Sequence, residues 1–67
     1  MISYNPLWIT LVKAGRQKTD LYEITSSATV AKMSKNEPVS LRVVEQICLS
    51  LGCAIDEVIE ILPDKPE

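Results

Sequence analysis

Histidine is absent from the 67 residues, which removes the commonest general base near neutral pH and the commonest metal ligand. Cys48 and Cys53 lie five apart, wider than the Cys-x-x-Cys spacing of redox pairs, and two thiols without histidine make neither a zinc site nor a disulfide framework. Both are expected as small buried hydrophobes. The carboxylate pairs Asp56/Glu60 and Glu57/Glu60 have helical separations that a solvated helix face explains more simply than acid–base work. Gly15 and Gly52, the only glycines, sit at expected helix ends, so there is no glycine-rich phosphate loop. No serine or cysteine has an activating group at a useful spacing. The expectation is a protein with no catalysis, no cofactor and no metal.

A different chemistry is present between residues 18 and 36. Lys18-Thr19-Asp20-Leu21 is followed by Thr25-Ser26-Ser27-Ala28-Thr29-Val30-Ala31-Lys32-Met33 and then Lys35-Asn36. Two short helices around a tight turn would direct Val30 and Met33 inward and expose Ser26, Ser27, Thr29 and Lys32. Small hydroxyl side chains reach phosphates and base edges without filling a DNA groove. Lys35 and Asn36, just beyond the helix, suit phosphate contacts. A solvated polar face on a plain helical bundle accounts for the same residues equally well. Tyr4 and Tyr22 stand near the cations in sequence, each able either to donate to a phosphate or to pack. Trp8 reads as a core anchor rather than a partner groove.

The elements that would position these groups are short helices. Asn5 before Pro6 predicts a capped start, Leu7, Trp8, Leu11 and Val12 recur at helical spacing, and Gly15 is a natural stop, giving a helix over about 6–14. Thr19-Asp20 caps a second, very short helix containing Leu21 and Ile24. A third covers about 27–34 and is broken by Asn36-Glu37-Pro38. Ser40 caps the longest periodic segment, with Leu41, Val44, Ile47, Cys48 and Leu51 on one stripe up to Gly52. Ile55, Val58, Ile59 and Leu62 predict a final amphipathic helix stopped by Pro63. The fold class is therefore all-α, with a domain over residues 1–63 and a frayed tail over 64–67.

Composition agrees with one small globular unit: 46% of the residues are hydrophobic and 24% charged. No apolar run approaches the ~18 residues of a membrane span, and no secretory signal opens the chain, so a cytoplasmic, reduced protein is expected. The net charge of −2 argues against a nucleic-acid partner only when taken whole. Residues 1–36 hold five cations (Lys13, Arg16, Lys18, Lys32, Lys35) against Asp20 and Glu23, a net of +3. Residues 37–67 hold Arg42 and Lys65 against seven carboxylates, a net of −5. This division predicts a basic working face and an acidic back.

Ile-Ser-Tyr-Asn-Pro-Leu-Trp at the start, Lys-Thr-Asp-Leu, Thr-Val-Ala-Lys-Met-Ser-Lys-Asn-Glu and Ile-Cys-(x)2-Leu-Gly-Cys, in that order, resemble the small stand-alone Cro/lambda-repressor-type (XRE-like) helix-turn-helix regulators of bacteria. The resemblance runs from about Met1 to Pro63. It implies a compact five-helix lambda-repressor-like domain that binds double-stranded DNA, with helix three in the major groove. Carried onto this chain, Ser26, Ser27, Thr29 and Lys32 would read bases, and Lys18, Thr19, Lys35 and Asn36 would hold phosphates. One such domain makes few contacts, so a homodimer through the apolar parts of the last two helices is expected. Leu21 and Val30 are nine residues apart where the family pattern has eleven, and no glycine occupies the turn. The motif is thus shortened by two residues. With the acidic second half, this leaves an alternative from another class: a protein-binding module, antirepressor, antitoxin or inhibitor, on the same scaffold.

Overall fold

The three α-helices among the described residues all stop on one device, a residue in the left-handed region followed by a backbone bond back to the last turn. The computed structural model describes residues 1–63. Helix α1 (Asn5–Lys13) ends at Gly15, with φ of 70°, and Arg16 N–H donates to the Leu11 carbonyl at 2.8 Å. Helix α2 (Ser27–Ser34) ends at Asn36, φ 59°, with Glu37 N–H on the Lys32 carbonyl at 2.9 Å. Helix α3 (Leu41–Leu51) ends at Gly52, φ 68°, with Cys53 N–H on the Cys48 carbonyl at 3.0 Å. These six-to-one bonds satisfy carbonyls that a helix end otherwise leaves orphaned. Glycine meets the conformation twice; asparagine, the next most tolerant residue, meets it once.

The expected all-α architecture is present, with differences at its two ends. Five helical segments occur among the described residues, two of them 3₁₀ helices: Lys18–Glu23 between α1 and α2, and Ile55–Glu57 after α3. The segment expected as a last amphipathic helix makes only that single turn and then extends. Strand β2 (Glu60–Ile61) pairs antiparallel with β1 (Ile2–Ser3), in the register Ile2 to Ile61 and Ser3 to Glu60. Ser3 Oγ donates to Glu60 Oε2 at 2.9 Å, Leu62 N–H donates to the Met1 carbonyl, and the N-terminal amine meets the Leu62 carbonyl. Non-local pairing with the first residues thus overrides local helical spacing, leaving Ile55 and Ile61 exposed while Val58 alone is fully buried. The tail expected over 64–67 lies outside the described residues.

Smaller departures have local causes. Tyr4, not Asn5, occupies the N-cap position of α1, without a side-chain cap, and Asn5 N–H donates to Ser3 Oγ at 3.2 Å. Asp20 works backwards, its carboxylate accepting Gln17 N–H at 2.8 Å, instead of starting the second helix with Thr19. Leu41, expected on the inner stripe of α3, is exposed, whereas Val44 and Ile47 are buried.

The core gathers Leu7 and Leu11 of α1, Leu21, Val30 and Met33 of α2, Val44 and Ile47 of α3, and Val58 around Tyr4. Trp8 packs half-buried against this cluster. Tyr4 is fully buried; its N–H donates to Asn36 Oδ1 at 3.1 Å and its hydroxyl to the Glu37 carbonyl at 2.8 Å. It is therefore a structural anchor, and of the two tyrosines only Tyr22 remains exposed.

Gly52 has no atom within 4 Å of where a Cβ would stand, so Gly52→Ala meets conformational strain alone, about 1–2 kcal/mol. Asn36→Ala gains less strain, since asparagine already carries a Cβ in this conformation, but it removes the acceptor for the buried Tyr4 N–H, at about 1–3 kcal/mol. Urea midpoints of the two variants compared with wild type test both effects; an Asn36→Ala variant as stable as wild type would show that the Asn36–Tyr4 bond contributes nothing.

Candidate nucleic-acid interface

The shortened motif is accommodated by a change of helix type. A six-residue 3₁₀ helix rises about 12 Å at about 2.0 Å per residue, the same as eight α-helical residues at about 1.5 Å. Lys18–Glu23 overwound in this way spans the distance of a helix two residues longer, and Ile24 and Thr25 then lead directly into the cap of α2. Leu21, buried, fixes the segment to the core, and the carbonyl of Leu21 accepts from both Ile24 and Thr25 N–H at 2.9 Å.

Helix α2 spans the residues read from the sequence, 27–34, and Val30 and Met33 point inward as expected. At about 100° per residue, that inward pair places Ala28, Ala31, Lys32 and Lys35 on the opposite side, with Ser27 at its margin. All five are exposed. Ala28 and Ala31 are outward residues that the sequence analysis did not single out. The rotational phase set by Val30 and Met33 was sufficient to find them.

The expected hydroxyl groups divide. Ser26 caps α2: its Oγ accepts Thr29 N–H at 3.1 Å and lies 3.0 Å from Thr29 Oγ1. Thr29 is half-buried, so Ser26 and Thr29 form a pair at the helix start, while Ser27 is exposed and open. Of the phosphate candidates, Lys18 is held in place: its Nζ donates to Ser34 Oγ at 3.1 Å and stands 4.4 Å from the centroid of the Trp8 ring. That cation–π latch brings Lys18 to the last turn of α2, near Lys35. Thr19 is exposed on the 3₁₀ helix. Asn36 spends its Oδ1 on Tyr4, which leaves its amide Nδ2 as the donor for any further partner. Among the described residues Lys32 and Lys35 have no carboxylate partner. The surface is a small-residue helix face with cations at its C-terminal half.

Among the described residues no group of three or more histidine, cysteine or acidic side chains is arranged to hold a metal, and no helix is long and apolar enough to cross a membrane. A family model described as the Cro/C1-type helix-turn-helix DNA-binding domain matches residues 6–64. The chain is similar to the crystal structure of the transcriptional regulator VanUg (Form II), at 43% identity and a TM-score of 0.88 over 94% of this chain and 87% of that one. No curated protein matches it.

Ser26→Ala removes the acceptor for Thr29 N–H and is expected to lower stability by about 1 kcal/mol, whereas Ser26→Gly costs only a few tenths. Chemical denaturation of both variants separates the capping role from simple loss of a side chain; an alanine variant as stable as wild type would show that the cap does not hold α2.

Proposed function

From the premise that this chain belongs to the Cro/C1-type helix-turn-helix DNA-binding domain family, a non-enzymatic class, we propose that it is a sequence-specific transcriptional regulator that lays α2 in the major groove of double-stranded DNA. The observation that carries this reading is the outward face of α2, with Ala28 and Ala31 at its centre and the unpaired cations Lys32 and Lys35 beside them. A groove about 12 Å wide admits a helix whose outer side chains are this small, and alanine methyls suit thymine methyl groups. In this reading Ser27 and Lys32 reach base edges, and the Ser26–Thr29 pair presents its remaining hydroxyl capacity at the start of the helix. Lys18, Thr19, Lys35 and the Asn36 amide meet phosphates. The similarity to VanUg, a transcriptional regulator, supports the same conclusion.

The regulator acts as a homodimer through α3. A groove of about 640 Å³ is lined by Leu41, Arg42, Val44, Glu45, Cys48 and Ile55, and Leu41 is 73% exposed. A two-fold axis across that groove would set Arg42 of one copy against Glu45 of the other, the self-complementarity that an isologous contact needs.

Lys32→Ala with Lys35→Ala is expected to weaken binding to duplex DNA at least tenfold at moderate salt. The slope of log K against log salt should fall by nearly two, at about 0.9 for each phosphate no longer neutralised. Fluorescence anisotropy over a salt series, with circular dichroism as the folding control, measures both. If neither random nor selected duplex binds wild type at low salt, the chain is a protein-binding module and the regulator reading fails. Sedimentation equilibrium tests the dimer independently, with Leu41→Glu expected to be monomeric.

A further inference from the structure

The end of α3 brings its two cysteines together in a way their spacing in sequence does not suggest. Gly52 in the left-handed region turns the chain back, so that Cys53 N–H reaches the Cys48 carbonyl at 3.0 Å, and Gly52 N–H donates to the same carbonyl. In this helix-terminating turn the residue after the glycine and the residue five before it characteristically place their side chains in contact. At the ends of α1 and α2 the equivalent positions are held by Leu11 with Arg16 and by Lys32 with Glu37. At α3 they are two thiols, both free and both half-buried.

We propose that Cys48 and Cys53 form an intrachain disulfide that staples the C-terminus of α3, an oxidisable site away from the outward face of α2. A direct backbone hydrogen bond between the two residues brings their Cα atoms close, and a disulfide needs them about 4.4–6.8 Å apart. Cys53 is the thiol reached first, because it lines a groove between α1 and the turn after α3, whereas Cys48 lines the groove assigned to the second copy and acts as the resolving thiol. The oxidant is a small disulfide. One cysteine thiolate attacks a sulfur of that disulfide and expels a thiol, forming a mixed disulfide. The second cysteine attacks the protein-side sulfur and expels the other thiol. Two electrons and two protons pass from the cysteine pair to the oxidant, which leaves as two thiols. Burial pushes the Cys53 thiol up first, and Cys48, Glu57 and Asp56 push it the same way. Closure is therefore slow at neutral pH and needs mildly alkaline conditions to be observed promptly.

The test is incubation of the reduced, folded chain with oxidised glutathione at mildly alkaline pH, followed by intact mass and thermal melting. The expected product is a monomer lighter by two hydrogens, with no glutathione attached and both thiols resistant to alkylation. Cys48→Ser and Cys53→Ser each abolish that product. Because the native turn already aligns the pair, the oxidised form should melt higher than the reduced one, by on the order of 10 °C for so short a loop. An unchanged mass, a persistent glutathione adduct or a covalent dimer would overturn the proposal. So would a closed monomer that melts lower than the reduced chain, since the bridge would then be formed against the native geometry.

Discussion

Tyr4 is the constraint on which the rest of the molecule depends. It stands between β1 and α1, fully buried, and its two polar groups both reach the far end of α2: N–H to Asn36 Oδ1 and hydroxyl to the Glu37 carbonyl. Burial pushes the hydroxyl's pKa up, countered in part by a backbone hydrogen bond from Val39, so it stays protonated and remains a donor. One side chain thereby fixes the chain's beginning to the segment just beyond the outward-facing helix. The strand immediately before it is then in position to pair with β2, and Val58 closes the core beneath. A domain this small hides only about 60% of its unfolded surface, so a few such cross-links decide which packing is reached.

The parts of the fold that were legible in the sequence are those determined within a few residues. Ser40 before a periodic stripe and Gly52 after it set α3, and Ser26 before Val30 and Met33 set α2. The end of the chain was not legible for the opposite reason. Ile55, Val58, Ile59 and Leu62 satisfy a helical period, yet partners for Glu60 and Ile61 lie almost sixty positions away in Ile2 and Ser3. No local pattern reports a pairing of that range. Asn36 was likewise readable as a polar residue in a polar stretch, while its left-handed backbone and its bond to Tyr4 come from tertiary structure.

The helix was legible, but not which of its side chains are turned outward and which are engaged at its start. Hydroxyl chemistry pointed to Ser26 and Thr29, but a cap binds its own helix first, and these two oxygens are occupied with the Thr29 backbone and each other. Two of the side chains that the helix turns outward, Ala28 and Ala31, offer no chemistry of their own but permit close approach. The missing two residues obey the same logic. Removing two residues from an α-helix rotates the next segment by about 200°, whereas exchanging eight α-helical residues for six in a 3₁₀ helix keeps the length and changes the phase by only about 80°. The buried positions Leu21 and Val30 both reach the core.

Winding also bears on the charge. The cations of the first half lie on the end of α1, the 3₁₀ helix and α2, and the described carboxylates of the second half lie on α3, the turn after it and β2, apart from Glu37. The molecule extends 40 Å along its longest axis, several times the ~8 Å over which exposed charges act at physiological ionic strength. Charges farther from α2 than that length are largely screened from an anion that approaches Lys32, Lys35 and the latched Lys18. Net charge is a sum over distances at which solvent has already screened the interaction. An overall −2 is thus compatible with a basic face on α2, and the acidic remainder is free to serve contacts made by α3.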